Sequence, residues 1–244
     1  MVLTLVAPPA ETHDADLVID PVYRLQDVMR IFREGDVETV ALRGIDLDIG
    51  SGTFVSLMGR SGSGKSTLLA LLAGADRPSA GKVMFRDADL GRATESDLQR
   101  LRGRDISLLF QADNLAGFLS VVENMSLAAS LAGRDLDDGL AMAILDRVGL
   151  SARVRHRPGQ LSGGEQQRAA LACVLAAAAP VVLMDEPTAE LDSRTAQQVL
   201  ELVRQLQVEH HMTVVLATHD ASVAAGADRI VSLRSGHIID DRRA

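Results

Sequence analysis

Short apolar segments recur along the chain, and several are continuous runs rather than alternations of apolar and polar residues. Continuous runs are typical of strands that are covered on both faces. Within Ser193–Gln207 the apolar residues Val199, Leu202, Val203 and Leu206 return at helical spacing instead. The pattern predicts an α/β core with mostly parallel strands. The predicted strands are Val22–Phe32, Val40–Ile49, Phe54–Met58, Lys82–Phe85, Ile106–Phe110, Val181–Met184, Thr213–Ala217 and Ile230–Leu233.

Two long stretches lack this strand pattern. Residues 1–20 mix Pro, Ala and acidic side chains, which predicts a loose N-terminal tail, and they lack the basic start and apolar core of a secretory signal. Residues from about 112 to 170 predict a helical subdomain inserted into a single domain over 21–244. The longest apolar run, Ala169–Met184, is interrupted by Pro180, so we expect a buried helix and then a buried strand, not a membrane span.

Composition excludes some classes of function. The chain of 244 residues has a formal net charge of −8 and contains one Tyr, five Phe and no Trp. General binding of nucleic acid requires a basic surface or an aromatic stacking platform, so we expect no nucleic-acid partner. With Cys173 as its single cysteine, the chain has no internal disulfide.

A glycine-rich segment lies between the predicted strand Phe54–Met58 and a helical sequence. Residues 59–67, GRSGSGKST, match the phosphate-loop pattern G-x-x-x-x-G-K-[ST] in the context that the pattern requires. Glycines let the backbone wrap closely around an anion, and successive N–H groups point at the phosphates. Lys65 is expected to reach the β- and γ-phosphates, and Ser66 to ligate Mg²⁺. The predicted nucleotide-binding residues are Gly59, Arg60, Ser61, Gly62, Ser63, Gly64, Lys65, Ser66 and Thr67.

Two adjacent carboxylates follow the apolar run Val181–Met184. At the carboxyl end of a parallel strand, Asp185 is expected to lie beside the phosphate loop and to hold Mg²⁺. Glu186 points elsewhere from the strand end and is predicted to orient and polarise the attacking water. Alone, such a pair is more often a strand-terminating turn, and the phosphate loop upstream favours the catalytic interpretation.

A third motif carries a family resemblance. Residues 161–168 read LSGGEQQR, and two glycines before a helix again make an anion-binding N-terminus. Together with the phosphate loop and the segment LMDEPT, this motif resembles the nucleotide-binding subunit of ATP-binding cassette (ABC) transporters, from about Val22 to Asp240. The resemblance implies an α/β fold in which a P-loop core with a mainly parallel sheet carries an antiparallel β-subdomain and an inserted helical subdomain.

The resemblance also implies roles for single residues. Gln111 is similar to the Q-loop glutamine that contacts Mg²⁺, and His219 to the switch histidine that contacts the γ-phosphate. Asp192 is similar to a D-loop residue at the dimer interface, and Phe32 stands where the family stacks a ring on adenine. Without the resemblance, Gln111 is a surface residue, His219 a structural histidine and Phe32 a core residue. The implied catalytic residues are Glu186, His219, Lys65 and Gln111. The implied metal ligands are Ser66, Gln111 and Asp185. The signature residues implied to bind ATP are Ser162, Gly163, Gly164 and Glu165.

By the same resemblance, two copies bind Mg-ATP head to tail, hydrolyse it, and drive an integral membrane permease from the cytoplasmic face of the inner membrane. Several segments, VVENMSLAASLAGR among them, resemble macrolide-exporter, lipoprotein-releasing and cell-division ATPases. That group implies a permease with about four spans and a large external domain. Residues 112–118 depart from its pattern beside the implied permease groove, Gln111–Glu123. The alternative is a cell-division-type ATPase that regulates an envelope enzyme through its membrane partner without moving a solute.

Overall fold

The fold is built on two β-sheets. The structure is a computed structural model and describes residues 21–35, 37–109, 114–189 and 191–243. The strands are β1 (Pro21–Glu34), β2 (Val37–Gly50), β3 (Phe54–Met58), β4 (Ala80–Phe85), β5 (Ala88–Asp89), β6 (Ile106–Leu109), β7 (Val181–Asp185), β8 (Thr213–Thr218), β9 (Arg229–Arg234) and β10 (His237–Arg243). The helices are α1 (Lys65–Leu72), α2 (Glu95–Arg104), α3 (Val121–Leu131), α4 (Asp138–Arg147), α5 (Gly163–Ala177), α6 (Ser193–His210) and α7 (Ala221–Ala224).

The larger sheet is mainly parallel. Its strand order is β10-β9-β3-β8-β7-β6, and of its neighbouring pairs only β9 and β10 run antiparallel in the described residues. Strands β3, β7 and β8 are buried along nearly their whole length, which explains their continuous apolar sequences. The predicted α/β core is therefore confirmed.

The smaller sheet is antiparallel, with the order β2-β1-β4-β5. Strands β1 and β2 form a long hairpin whose register shifts between Leu25 and Val28, where Asp27 adopts a φ of 46°. This left-handed conformation is typical of the extra residue in a β-bulge, which increases the local twist. The antiparallel sheet that the family resemblance implied is thus present.

Residues 114–170 contain helices and no strand in their described structure. Helices α3 and α4 begin at side-chain caps, because Ser120 accepts a hydrogen bond from the amide of Glu123 and Asp137 accepts one from the amide of Leu140. Two short 3₁₀ turns, Ser151–Arg153 and Pro158–Gln160, then lead to α5. Helix α5 ends at Ala177, beyond residue 170, and the boundaries of an inserted subdomain stay a prediction.

The long apolar run Ala169–Met184 forms the C-terminal part of α5, a turn at Pro180 and strand β7, as its sequence predicts. Within the ranges that the structure describes, no helix combines the length and the apolar character that crossing a bilayer requires.

Neither β5 nor β10 is among the predicted strands. Strand β10, HIIDDRR, lies at the edge of the larger sheet and is exposed at nearly every position. Edge strands carry charged residues and need no apolar run, so their sequences give little strand signal.

Candidate active site

The phosphate loop connects β3 to α1 and is fixed by close backbone contacts. The Gly59 amide donates to the Thr218 carbonyl at 3.2 Å. A Cβ on Gly59 would lie only 2.5 Å from both the Leu233 carbonyl oxygen and the Ser63 Oγ, so glycine is required there. The first turn of α1 leaves its amide groups without intrahelical acceptors. The loop therefore presents hydrogen-bond donors to an anion.

A cleft of about 550 Å³ opens beside this loop. It lies where the carboxyl ends of the parallel strands β3, β7 and β8 meet, which is the usual ligand position in such sheets. Three motifs that are far apart in the sequence therefore meet in one place. The cleft is lined by Arg60, Ser61, Gly62, Ser63, Gly64, Lys65, Ser66, Asp185, Glu186, Ala189 and His219.

Lys65 is nearly buried, and its ammonium group is held by oxygen atoms at the base of the loop. Its Nζ donates to the Gly59 carbonyl at 2.7 Å and to the Arg60 carbonyl at 3.4 Å, and lies 3.6 Å from the Glu186 Oε1. A buried charge requires such partners. Phosphate oxygens could replace these acceptors with stronger, charge-assisted ones.

Glu186 follows β7 directly and has a φ of 48°, which non-glycine residues seldom adopt. Such strain costs on the order of 1–3 kcal/mol and is concentrated at functional sites. The Glu186 amide donates to the Ala217 carbonyl at 2.9 Å. Its two carboxylate oxygens lie 3.0 and 3.1 Å from the Nδ1 of His219. The carboxylate is therefore bracketed by His219 on one side and Lys65 on the other.

Asp185, the last residue of β7, provides a candidate metal ligand. Its Oδ1 is buried and has no hydrogen-bond partner among the described residues. Buried polar atoms are usually paired, so this oxygen fits a group that binds there. Ser66 lines the same cleft, and a carboxylate with a hydroxyl suits Mg²⁺, which commonly takes its other ligands from phosphates and water.

The signature motif forms the N-terminus of α5, and none of Ser162–Glu165 lines the cleft. The Ser162 hydroxyl accepts from the Glu165 amide at 3.3 Å, and the Glu165 carboxylate accepts from the Ser162 amide at 2.9 Å. This reciprocal capping box explains why the helix begins there. The backbone hydrogen bond from Ser162, with that from the Arg153 side chain, lowers the pKa of Glu165 to about 2.

The remaining predicted site residues do not line the cleft: Gly59 and Thr67 lie at the two ends of the loop, Phe32 and Asp192 lie elsewhere, and one more falls outside the described residues. Gln111 is the latter, and its role stays a prediction. Phe32 is 41% exposed on β1 and is not a core residue. Phe32 pairs with Thr39 on β2. Two positions further along β2, the carbonyl oxygen of Ala41 lies 2.8 Å from a Cβ built on Gly64 in the phosphate loop. Two residues of strand span about 7 Å, so Phe32 lies on a strand pair that also contacts the phosphate loop, and its stacking on adenine stays a prediction.

Asp192 caps α6. Its Oδ1 accepts from the amides of Arg194 and Thr195, both at 3.1 Å, and its Oδ2 accepts from the Thr195 hydroxyl at 2.6 Å. The hydrogen bond from the Thr195 side chain is the main reason why the pKa of Asp192 is lowered. Within one copy the carboxylate has a structural role, and contact with a second copy stays a prediction.

The structure adds Gly236, in the turn between β9 and β10, to the residues that support the loop. Its amide donates to the Ser63 carbonyl at 3.1 Å, and its carbonyl accepts from the Arg43 amide at 2.9 Å. Gly236 therefore braces the phosphate loop against β2. The pair Ser-Gly in LRSGHI marks a turn in the sequence, but nothing local indicates which segment the turn touches.

We expect Gly236→Ala to weaken ATP binding by about tenfold, because its φ of 80° disfavours a side chain and the added Cβ would lie 2.7 Å from the Ala41 carbonyl oxygen. Gly35→Ala is the matched control, since Gly35 also has a positive φ, of 59°, but no atom of the described residues beyond its chain neighbours lies within 4 Å of a Cβ there. Nucleotide titration alongside thermal unfolding separates binding from stability. Equal ATP affinity in the two variants would contradict the bracing role.

This arrangement has counterparts among known proteins. Residues 42–189 match the family model described as ABC transporter. The chain belongs to the ABC transporter family. This ABC ATPase is 44% identical over 223 residues to the macrolide export ATP-binding/permease protein MacB of Azoarcus sp. (strain BH72), and 42% identical to MacB of Hyphomonas neptunium. Each alignment covers 91% of this chain and 34% of the relative, so the chain spans about a third of the length of these relatives.

Solved ABC cassettes share its fold. The ATP-binding cassette MJ0796, in a dimeric post-hydrolysis state bound to ADP and Pi, superimposes with a TM-score of 0.85 at 35% identity, over 91% of this chain and 98% of that chain. The cbiO1 protein of Clostridium perfringens, part of an ABC transporter complex, gives a TM-score of 0.78 at 27% identity, over 92% and 89%. The predicted family, fold class and ATPase activity are confirmed, as is ATP as the nucleotide.

Proposed function

We propose that two copies of this ABC ATPase enclose two ATP molecules head to tail, each copy completing the site of the other. The observation that carries the proposal is the composition of the cleft. It contains the phosphate loop, both carboxylates and His219, but none of the signature residues Ser162–Glu165. The signature is a second anion-binding helix N-terminus, and a second copy can bring it to the phosphates. The dimeric state of the MJ0796 cassette supports this arrangement.

Within such a dimer, hydrolysis follows from contacts already present in one copy. Phosphate oxygens take the donors of Lys65, which loosens the contact of its ammonium group with Glu186. The freed carboxylate accepts a proton from the attacking water as general base. His219, within hydrogen-bond distance of Glu186, keeps that carboxylate oriented and adds a contact to the γ-phosphate.

Mg²⁺ is part of this proposal. The unpartnered Asp185 Oδ1 and the Ser66 hydroxyl would hold the ion, together with Gln111 as the family resemblance implies. When bound, Mg²⁺ neutralises charge on the β- and γ-phosphate oxygens.

We propose further that an integral membrane permease docks on the groove Gln111–Glu123, which places this ATPase on the cytoplasmic face of the inner membrane. Phe118, in the described part of this segment, is 74% exposed. The loop that carries it is held by Asn124, whose side chain accepts from the Ala116 amide at 2.8 Å and donates to the Ser120 carbonyl at 3.0 Å. A loop that is fixed by hydrogen bonds with Asn124 and presents an exposed aromatic ring suits a protein partner.

The helices between about 112 and 170 would then form an inserted subdomain that carries both this groove and the signature, so that closure of the dimer moves the permease. The relatives described above combine ATP-binding and permease functions in their names and are named for macrolide export. We therefore favour transport over the mechanical-signalling alternative. A four-span permease with a large external domain is the form of partner that we propose.

A complementation experiment tests the shared site. Gly163→Asp places a negative charge at the first position of α5, where it favours the helix but repels phosphate. Lys65→Ala disables the phosphate loop. Each variant alone is expected to lack hydrolysis, and a mixture is expected to regain it, because one site of the mixed dimer has an intact loop and an intact signature. A mixture that stays inactive would contradict the head-to-tail dimer.

A further inference from the structure

The signature contains a carboxylate where the proposed dimer requires an anion-binding site. Glu165 is ionised at neutral pH, since its pKa is about 2. A negative side chain in the first turn stabilises a helix, but here it would also repel the γ-phosphate. Its Oε2 also accepts a hydrogen bond from the Ser162 hydroxyl at 3.0 Å. A signature with this residue therefore needs something that offsets the charge.

Arg153, at the end of the 3₁₀ turn Ser151–Arg153, meets that need. Its Nε donates to the Oε1 of Glu165 at 2.9 Å, while both donors of Ser162 go to Oε2. Each carboxylate oxygen thus has its own partner. The backbone of Arg153 is fixed as well, because its amide donates to the Leu150 carbonyl at 2.7 Å.

We propose that Arg153 is a positioning residue for the ATP-bound dimer: it neutralises Glu165 and holds its carboxylate, so that the signature can accept the γ-phosphate of the other copy. This inference rests on the proposed function. As the phosphate arrives, the Ser162 hydroxyl rotates its proton from Glu165 to a phosphate oxygen. Arg153 then remains a charged donor to Glu165, whose carboxylate has lost one hydrogen bond.

The test uses the full chain with Glu186→Gln, which is expected to retain bound ATP, and follows dimer formation by sedimentation as ATP is added. Adding Arg153→Ala is expected to raise the ATP concentration for half-maximal dimerisation by about tenfold. Binding of ATP to the monomer should not change, because the phosphate loop is intact. Arg153→Gln, which is uncharged and of similar length, should show the same loss and covers the case in which the alanine variant folds poorly.

Charge removal at position 165 supplies the decisive comparison. Glu165→Gln keeps an oxygen for the capping box but carries no charge. Combined with Arg153→Ala, it is expected to restore dimerisation to within about threefold of the parent, and added salt should shrink the deficit of Arg153→Ala alone. The matched control is Arg147→Ala, which removes an arginine of similar exposure from an ion pair of similar length, 3.0 Å to Glu209, and should change nothing.

The outcomes distinguish failure of the proposed role of Arg153 from failure of the head-to-tail dimer. If Arg153→Ala dimerises at the ATP concentration of its parent, or if Glu165→Gln fails to rescue it, charge compensation by Arg153 is wrong while the head-to-tail dimer stands. If the parent itself never dimerises with ATP, the proposed function fails and this inference fails with it.

Discussion

Glu186→Gln is expected to reduce ATP hydrolysis by about 10²–10⁴-fold while ATP binding is retained. Glutamine keeps the length of the side chain and one oxygen acceptor, but its neutral amide cannot take the proton of the attacking water. Loss of the negative charge beside Lys65, 3.6 Å away, also removes a competitor for that ammonium group. Bound ATP should therefore stay intact, and the dimer that it holds together should accumulate.

Phosphate release and ATP-dependent dimerisation, measured on the same sample, check both halves of this expectation. Glu201→Gln is a suitable control, because it makes the same chemical change on the exposed face of α6, where Glu201 accepts only from Gln197 at 3.1 Å among the described contacts. Hydrolysis near the rate of the unchanged protein would rule out Glu186 as the general base.

Local sequence was sufficient to predict the parts of the site that depend on local geometry. The loop 59–67 is specified by its glycines and Lys65, and the strand before it by burial on both faces. Asp185 and Glu186 were predictable from the buried strand that they follow, because parallel strands end at one edge of a sheet. His219 was implied by the family resemblance alone, and it lies beside Glu186 because β7 is next to β8. The neighbouring positions of these strand ends brought the three side chains to the phosphate loop.

Contacts between distant segments could not be predicted in this way. Gly236 braces Ser63 only because the β9–β10 turn packs beside the phosphate loop, and LRSGHI contains no signal for that packing. Likewise, Arg153 is one of several arginines before the signature, and only the 3₁₀ turn aims it at Glu165. The capping role of Asp192 was hidden by its resemblance to an interface residue, although an Asp directly before a helical sequence is also a helix-start pattern.

Lys65→Ala is expected to lower ATP affinity by roughly 10- to 100-fold, because hydrogen bonds to charged groups contribute about 1.5–3 kcal/mol. The effect has two parts. The variant loses a nearly buried ammonium group that can donate to phosphate. It also leaves Asp185 and Glu186 in the same cleft without that cation, so their charges repel the incoming phosphates more strongly.

Lys82→Ala isolates the effect of position from that of charge, since Lys82 is the only other lysine in the sequence and is exposed on β4. It removes the same charge outside the cleft and should leave ATP affinity unchanged. Lys65→Arg gives a second comparison, because it keeps the positive charge. Its planar guanidinium group cannot sit at 2.7 Å from the Gly59 carbonyl, where the ammonium group lies, without displacing the loop. We therefore expect most of the loss of ATP affinity to remain in this variant. Equal ATP affinity in Lys65→Ala and Lys82→Ala would mean that the loop 59–67 does not bind the nucleotide.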